Sequence, residues 1–373
     1  MKILVLTSRY TATRDIIGED FGRQTRLFSA LKRLGYEIDF FVADYRKYED
    51  KNIKLHGIGV SIRPFGIFHF LSFLRNLNNA LKSNRNKGFI NKKYDFLIAT
   101  SDPLWGFIGY IFSKKHKIKF IYDLHDNYET YATYKIPFFR YVDNFVIKRA
   151  DLVTTVSYTL KDKIKTIREN KVYVIQNGFD DKLFKPLDRM RSRKFLKLPK
   201  NKRIVAYAGS IQRAQGLHIL ISAFEKLEDK IDNLYLVLAG KFYKNEDKYI
   251  NLSHECILYF GSLPQNKIAL LINAADVVVV PNPDNNFTRY CFPYKIVEYM
   301  ACNVPIVATN IGDVGKLLST YKNSLCKPND ASDMADKIKI QLNKNRINYR
   351  KIAIDFTWSN ISKKFDSILN KEK

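Results

Sequence analysis

Long apolar runs are missing from this chain. No stretch approaches the ~18 consecutive apolar residues of a spanning helix. Cysteine is scarce: Cys256, Cys291, Cys302 and Cys326 all lie in the second half, with no C-x-x-C spacing. That pattern argues against a zinc site and against a disulfide framework, and fits the reduced thiols of a cytosolic protein. Two glycine signatures are also lacking. There is no G-x-G-x-x-G after the first apolar run and no G-x-x-x-x-G-K-[ST] anywhere, which weighs against a dinucleotide enzyme and a P-loop NTPase. The opening residues, "MKILVLTSRY", have one lysine and a short apolar run that turns polar at once, without the length or cleavage pattern of a signal peptide. The expectation is a protein made in, and kept in, the cytosol.

Acidic residues are the other shortage. The 37 Asp and Glu face 63 Lys and Arg, for a formal net charge of +26. Residues 1–200 carry 39 basic and 20 acidic side chains, whereas the rest carries 24 and 17. A field of this sign favours an anionic partner: a phosphorylated substrate, an anionic membrane surface or nucleic acid. No nucleic-acid motif accompanies the charge, so nucleic acid is not expected. Residues 63–93 hold seven Arg or Lys and no Asp or Glu, with aromatic and Leu residues clustered at 65–81. Two readings stand: a helix lying on an anionic membrane, or an ordinary helix packed on its domain.

What is present is alternation. Short apolar runs at 2–7, 37–43, 96–100, 119–125, 152–157 and 172–177 read as buried strands separated by helical patterns. The first such helix, residues 20–35, is stopped by Gly35. "HGIGV" (56–60) is read as a turn. After a basic, irregular stretch the pattern restarts at 203–209, 234–240, 257–261, 276–281 and 305–309. The expected fold class is α/β, with two doubly wound parallel-sheet domains divided near residues 180–200 and facing across a cleft. Such sheets bind ligands beyond the carboxyl ends of their strands.

The stretch "RYCFPYKIVEYMACNVPIVATN" (289–310) carries the sharpest chemistry. Pro293 suits the first turn of a helix, where free N–H groups and the positive dipole end attract phosphate. Lys295 lies in that turn and Glu298 three residues on. A cation for charge and a carboxylate for ribose hydroxyls suit a nucleoside diphosphate. An exposed ion pair at the same spacing is the competing reading.

The surrounding residues resemble the glycosyltransferase family 4 type. "ADVVVVPN…FPYKIVEYMACNVPIVATNIGDVGKLL" is similar to the family's donor-site block. "DLHDNYE" (123–129), "TVSYTLKDKI…KVYVIQNGFD", "YAGSIQRAQGLHILISAFEKL", "ILYFGSLPQNKIALLINAADVVVVPN" and "FTWSNISKKFDSIL" resemble other family segments in order, over nearly the whole chain. The resemblance implies a GT-B fold. Its acceptor-side Rossmann-like domain would span 1–185, its nucleotide-sugar domain 200–353, and a terminal helix at 354–373 would cross back to the first domain. It also implies a retaining, metal-independent transferase with no cofactor, the nucleotide sugar being a substrate. His125 and Glu298 are the implied catalytic residues. Lys295, Glu298, Arg213, Gln215, Gly209, Ser210, Arg289 and Tyr294 are the implied donor-binding set. The chain departs from the family pattern at Tyr290 (often Glu), Gln215 (Lys), Ser210 (Arg) and Asn303 (Gly). Arg213, Arg289 and Lys295 remain to supply charge.

His125 follows an apolar strand; the resemblance implies that it contacts the donor sugar or the reacting oxygen, and packing in a turn is the alternative. Asp126 would orient His125 or cap a helix. Gly18, Glu19 and Asp20 are the acceptor-side candidates, with helix capping by Glu19 and Asp20 as the simpler reading. The spacing of Asp123 and Asp126 is not D-x-D, and no metal is expected. The expected partners are a nucleotide-diphosphate sugar, a glycan or lipid-linked acceptor and an anionic membrane surface, at the inner face of the cell membrane. A degenerate glycan- or membrane-binding subunit and a GT-B sugar-nucleotide epimerase are the alternatives.

Overall fold

The computed structural model describes residues 1–11, 14–20, 22–82, 94–243, 246 and 253–373. It divides into two compact units, Met1–Gln176 with Trp358–Lys373, and Asn177–Thr357.

The first unit runs β1 (Lys2–Ser8), β2 (Tyr10–Thr11), β3 (Arg14–Asp15), α1 (Arg23–Arg33), β4 (Glu37–Asp44), β5 (Lys51–Leu55), β6 (Ile58–Pro64), α2 (Phe70–Leu81), β7 (Phe96–Thr100), α3 (Pro103–His116), β8 (Lys119–Leu124), α4 (Phe139–Arg149), β9 (Leu152–Thr155), α5 (Tyr158–Lys165) and β10 (Val172–Val174). Its main sheet has the order β10-β9-β8-β7-β1-β4-β6-β5, parallel except for β5. Central strands are buried on both faces: all five residues of β7 and six of seven in β1 are buried. The edge strand β5 is polar and largely exposed, which protects the sheet from pairing further.

The hairpin corrects the reading of residues 56–60. Only His56 and Gly57 turn; Ile58, Val60 and Ile62 are buried at every second position, so β6 pairs parallel with β4. The basic segment is corrected likewise. Residues 63–64 end β6, and among the described residues of the segment helix occupies only α2 after a short 3-10 turn at Ile67–His69. Arg75 and Lys82 are exposed; Arg85, Lys87 and the remainder of 83–93 lie outside the described residues.

The crossovers β6-α2-β7, β7-α3-β8 and β8-α4-β9 step the same way along the sheet, so right-handedness puts α2, α3 and α4 on one face. α1 belongs to the opposite step and takes the other face, where it packs against α13 (Trp358–Lys371). Trp358, Ile361, Phe365 and Leu369 form the buried stripe of α13, and Asp366 accepts a 2.6 Å hydrogen bond from Tyr36.

The second unit runs α6 (Arg189–Phe195), β11 (Arg203–Ala208), α7 (Leu217–Glu228), β12 (Leu234–Ala239), β13 (Ile257–Tyr259), α8 (Gln265–Ala274), β14 (Val277–Val280), α9 (Tyr294–Ala301), β15 (Ile306–Thr309), α10 (Gly312–Leu317), β16 (Leu325–Cys326), α11 (Ala331–Leu342) and α12 (Arg350–Ala353). Its strands form one parallel sheet in the order β13-β12-β11-β14-β15-β16. Leu220, Phe224, Leu236, Val279 and Met334 lie in its core. The basic stretch before β11 is anchored by Arg193, buried, which donates to the Ala274, Lys200 and Lys202 carbonyls and to Asp276. Among the described residues, no helix is long and apolar enough to cross a membrane.

Candidate active site

Each unit places a group of polar side chains at the carboxyl edge of its sheet. In the first unit the group begins with Asp123 near the end of β8. It is buried and met by Arg23 from α1 through Nε (3.0 Å) and Nη2 (2.8 Å), by Thr154 (2.6 Å) and by Thr100 (3.2 Å). Burial works against its charge, but Arg23 and these hydrogen bonds hold its pKa below the ordinary value. Its oxygens are therefore committed to the fold, which leaves them poorly placed for a metal ion. Arg23 also donates to the carbonyls of Ile175 (2.6 Å) and Gln176 (3.2 Å).

His125 follows. Its Nδ1 lies 3.0 Å from both the Thr100 and Tyr128 hydroxyls, while Nε2 is sealed from solvent with no hydrogen-bond partner. Burial, with a smaller push from Arg23, lowers its pKa to about 4 against the pull of Asp123, so the ring is neutral at pH 7. Tyr128 accepts from the Ser101 N–H (2.9 Å) and faces the Asp123 carbonyl (2.9 Å). Asp126 bonds the Asn127 N–H (2.9 Å) and Tyr131 (3.3 Å), and burial raises its pKa to about 7. The hydrogen bonds that hold His125 thus come from Thr100 and Tyr128, not from Asp126.

The first loop answers the capping expectation. The N-cap of α1 is Gly22, with no side-chain cap. Asp20 pairs instead with Arg26 (3.0 Å) and His56 (2.8 Å), and Glu19 accepts from the Asp15 N–H (3.2 Å). Gly18 gives its N–H to Asp15, whose carboxylate also pairs with Arg9.

In the second unit the turn after β11 and the start of α9 meet around Lys295. This lysine is buried, which removes the exposed ion-pair reading. Its ammonium lies 3.0 Å from the Tyr207 hydroxyl, 3.3 Å from Gln215 Oε1 and 4.4 Å from the centre of the Tyr207 ring. Burial lowers its pKa to about 8, against the upward pull of Cys291 and Glu298. Gly209 sits above it: a Cβ there would fall 2.9 Å from Lys295 Nζ and from the Tyr207 hydroxyl. Gly216, at φ 82°, lies against the next strand's exit, where a Cβ would be 1.7 Å from the Pro281 carbonyl oxygen.

Three further contacts hold α9 and its neighbours. Tyr299 accepts from the Ala208 N–H (2.9 Å), Asn177 donates to the Phe292 carbonyl (2.7 Å), and no side chain caps the helix start at Pro293. Tyr294 and Glu298 are half-buried on α9. Ser210 and Arg213 are exposed, and the Arg213 N–H bonds Glu246. Arg289 is exposed and forms a two-pronged pair with Asp284, both bonds 2.9 Å. Buried Asn282 keeps Oδ1 without a partner just after β14. The structure therefore gathers Lys295, Gln215 and Gly209 and adds Tyr207, while Arg289 is already matched to an acid. Tyr207, Asn282, Thr100 and Tyr128 were not among the residues read from sequence. Their only signal was a hydroxyl or amide at the carboxyl end of an apolar run.

Residues 188–355 match the model of the glycosyl transferases group 1 family, and residues 25–183 that of glycosyltransferase family 4. The chain belongs to the group 1 glycosyltransferases of the family 4 type. An uncharacterized glycosyltransferase of Methanocaldococcus jannaschii is 24% identical to the transferase over 88% of each chain. The capsular polysaccharide biosynthesis glycosyltransferase CapM of Staphylococcus aureus is 24% identical over 68% of this chain and 69% of its own. The Anabaena protein HepE, solved in complex with UDP, covers 100% of both chains at TM-score 0.77 and 20% identity; a UDP-glucose complex of it matches at 0.74. The transferase has the GT-B fold, with two Rossmann-like α/β units.

Proposed function

We propose that the transferase moves a sugar from a nucleoside diphosphate donor to a hydroxyl of a lipid-linked or growing glycan acceptor, with retention at the anomeric carbon, in cell-surface polysaccharide or glycolipid synthesis. The observation that carries this is Lys295. It is a buried ammonium whose hydrogen-bond partners are neutral, beneath a glycine that leaves room above it and beside an uncapped helix start. Such a site favours an anion with extended negative charge. The UDP and UDP-glucose complexes of HepE support a nucleotide-sugar donor, and the names of CapM and its like support the polysaccharide setting.

In this reading the bond from the anomeric carbon to the diphosphate breaks and its electron pair leaves with the diphosphate oxygen. Lys295 and the α9 N–H groups stabilise that charge as it develops. Glu298 receives ribose hydroxyls. The acceptor oxygen takes the anomeric carbon from the same face, and its proton passes to the departing diphosphate oxygen. Neutral His125, its Nε2 without a partner, contacts a hydroxyl of the donor sugar or the reacting oxygen. In this reading Lys295 supplies the positive charge at the diphosphate and no metal takes part.

Calorimetry with UDP, uridine and UDP-glucose tests the donor half. Glu298→Ala is expected to keep the wild-type melting temperature and lose about 1.5–3 kcal/mol of nucleotide-sugar affinity. Lys295→Ala is expected to lose the preference for diphosphate over nucleoside. Wild-type affinities in both variants would sink the assignment. Release of a changed sugar nucleotide in place of UDP would make the protein an epimerase.

A further inference from the structure

Two apolar tips stand clear of the first unit. One is the turn into α2, where Ile67 is 92% exposed, Phe68 96% and Leu71 79%. Tyr48, itself half exposed, stacks on His69 at 5.3 Å and so brings the loop after β4 to this tip. That loop adds the exposed cations Arg46 and Lys47. The other tip is the turn into α4, where Ile136 is 52% exposed, Phe138 78% and Tyr141 74%, beside exposed Lys135 and Arg140. Glu129, 3.8 Å from Arg140, offsets part of that charge but is shared with Lys163.

The topology sets the tips side by side. They follow β6 and β8, two parallel strands of one sheet, so both leave its carboxyl edge, the edge that carries His125. Both open helices on the same face. Four strand spacings separate β6 from β8 in the sheet order, or about 19 Å. A single isolated apolar side chain needs no explanation, but two clusters of nearly bare Ile, Phe and Leu on one edge do.

Backbone conformation points the same way. Phe138 holds φ 62°, a left-handed conformation that a bulky side chain adopts only at a cost. Glycine would hold it freely, yet an aromatic ring is kept there and turned to solvent. The turn holds that ring out to solvent, where an apolar partner can reach it.

We infer that these two tips seat the transferase on an anionic lipid surface, with the apolar side chains inserted among acyl chains and the flanking cations facing headgroups. The charge and the apolar tips together fit this occupant: residues 1–200 carry 39 basic against 20 acidic side chains, so a second copy of this basic chain is a poor match, and a bilayer offers acyl chains to the bare Ile67, Phe68, Leu71 and Phe138 beneath its phosphate headgroups. Two separated points of insertion fix orientation as well as attachment, since rotation about one tip lifts the other out. The seat would hold the His125 edge toward the membrane at its cytoplasmic face. This inference rests on the lipid-linked acceptor of the proposed function and commits it to a bilayer.

Vesicles of phosphatidylcholine alone and with phosphatidylglycerol, sedimented with the full chain, provide the test. Wild type is expected to bind the anionic vesicles, to bind neutral ones weakly, and to weaken without release as salt rises. Ile67→Ser with Phe68→Ser, and separately Phe138→Ser with Tyr141→Ser, should each reduce binding roughly tenfold or more, the loss for removing an inserted apolar side chain. Each pair should leave the melting temperature and UDP affinity at wild-type values. Unchanged binding in both pairs, or no wild-type binding to either vesicle, overturns the inference. So does gel filtration showing a wild-type dimer that either pair splits, which would assign the tips to a second copy. Vesicle binding without UDP release from donor would count against transfer and not against the seat.

Discussion

His125 and Lys295 illustrate how burial sets protonation state in opposite chemical roles. Thr100 has the Asp123 carboxylate within 3.2 Å, and Tyr128 the Asp123 carbonyl within 2.9 Å. With both hydroxyl protons drawn to those acceptors, Nδ1 must supply the hydrogen it shares with them, and Nε2 is left as a bare acceptor. Nitrogen NMR of histidine-labelled protein should therefore show the Nδ1–H tautomer for His125, unprotonated until the pH falls to about 4. Tyr128→Phe should shift the tautomer balance and, because the buried Ser101 N–H loses its acceptor, lower the melting temperature, whereas an Nε2–H ring in the wild type would refute the arrangement. In the proposed reading Lys295 works through its charge. With a pKa of about 8 in the free protein, the ammonium is lost as pH rises. UDP affinity should fall about fivefold between pH 8 and pH 9. In Lys295→Ala that slope should vanish; if it persists, another group carries it.

At the scale of elements, the glycine turn after β11 is among the tightest fits in the second unit. Gly216→Ala forces a Cβ against the Pro281 carbonyl at a left-handed φ of 82°. A cost of about 1–3 kcal/mol is expected, read as a lower melting temperature together with weakened UDP binding. Most elements were legible in the sequence because parallel strands buried on both faces are continuous apolar runs. β5 was not: "KNIKL" (51–55) is an exposed edge whose residues carry no burial pattern, and its turn hid the alternation of Ile58, Val60 and Ile62. In the site, Lys295 and Glu298 were readable because residues three apart on one helix share a face. Tyr207, 88 residues away from its partner Lys295, was not, and neither was Thr100 beside His125. Those contacts exist only once the sheet has set the strand ends side by side. The expected caps at Glu19 and Asp20 failed for a related reason: Arg26 and His56 offered Asp20 stronger partners than a helix N–H.

At the scale of the molecule, the chain visits its first unit twice. α13 arrives after the second unit and covers α1 with Trp358, Ile361, Phe365 and Leu369. Truncation before Trp358 uncovers that face. The expected result is a low-temperature unfolding transition for residues 1–176, with UDP still raising the melting temperature of the second unit. A single unshifted transition would mean that α13 is dispensable. The same arrangement has a consequence during synthesis. The first sheet is complete once β10 emerges, but α1 keeps an open apolar flank while all of residues 177–357 are still being added. At ~5–20 residues per second that wait lasts roughly ten to forty seconds. Throughout it the nascent chain carries a half-closed domain. Ribosomes that stall within the second unit should release products dependent on chaperones, and synonymous changes that slow translation there should lower soluble yield without altering one amino acid.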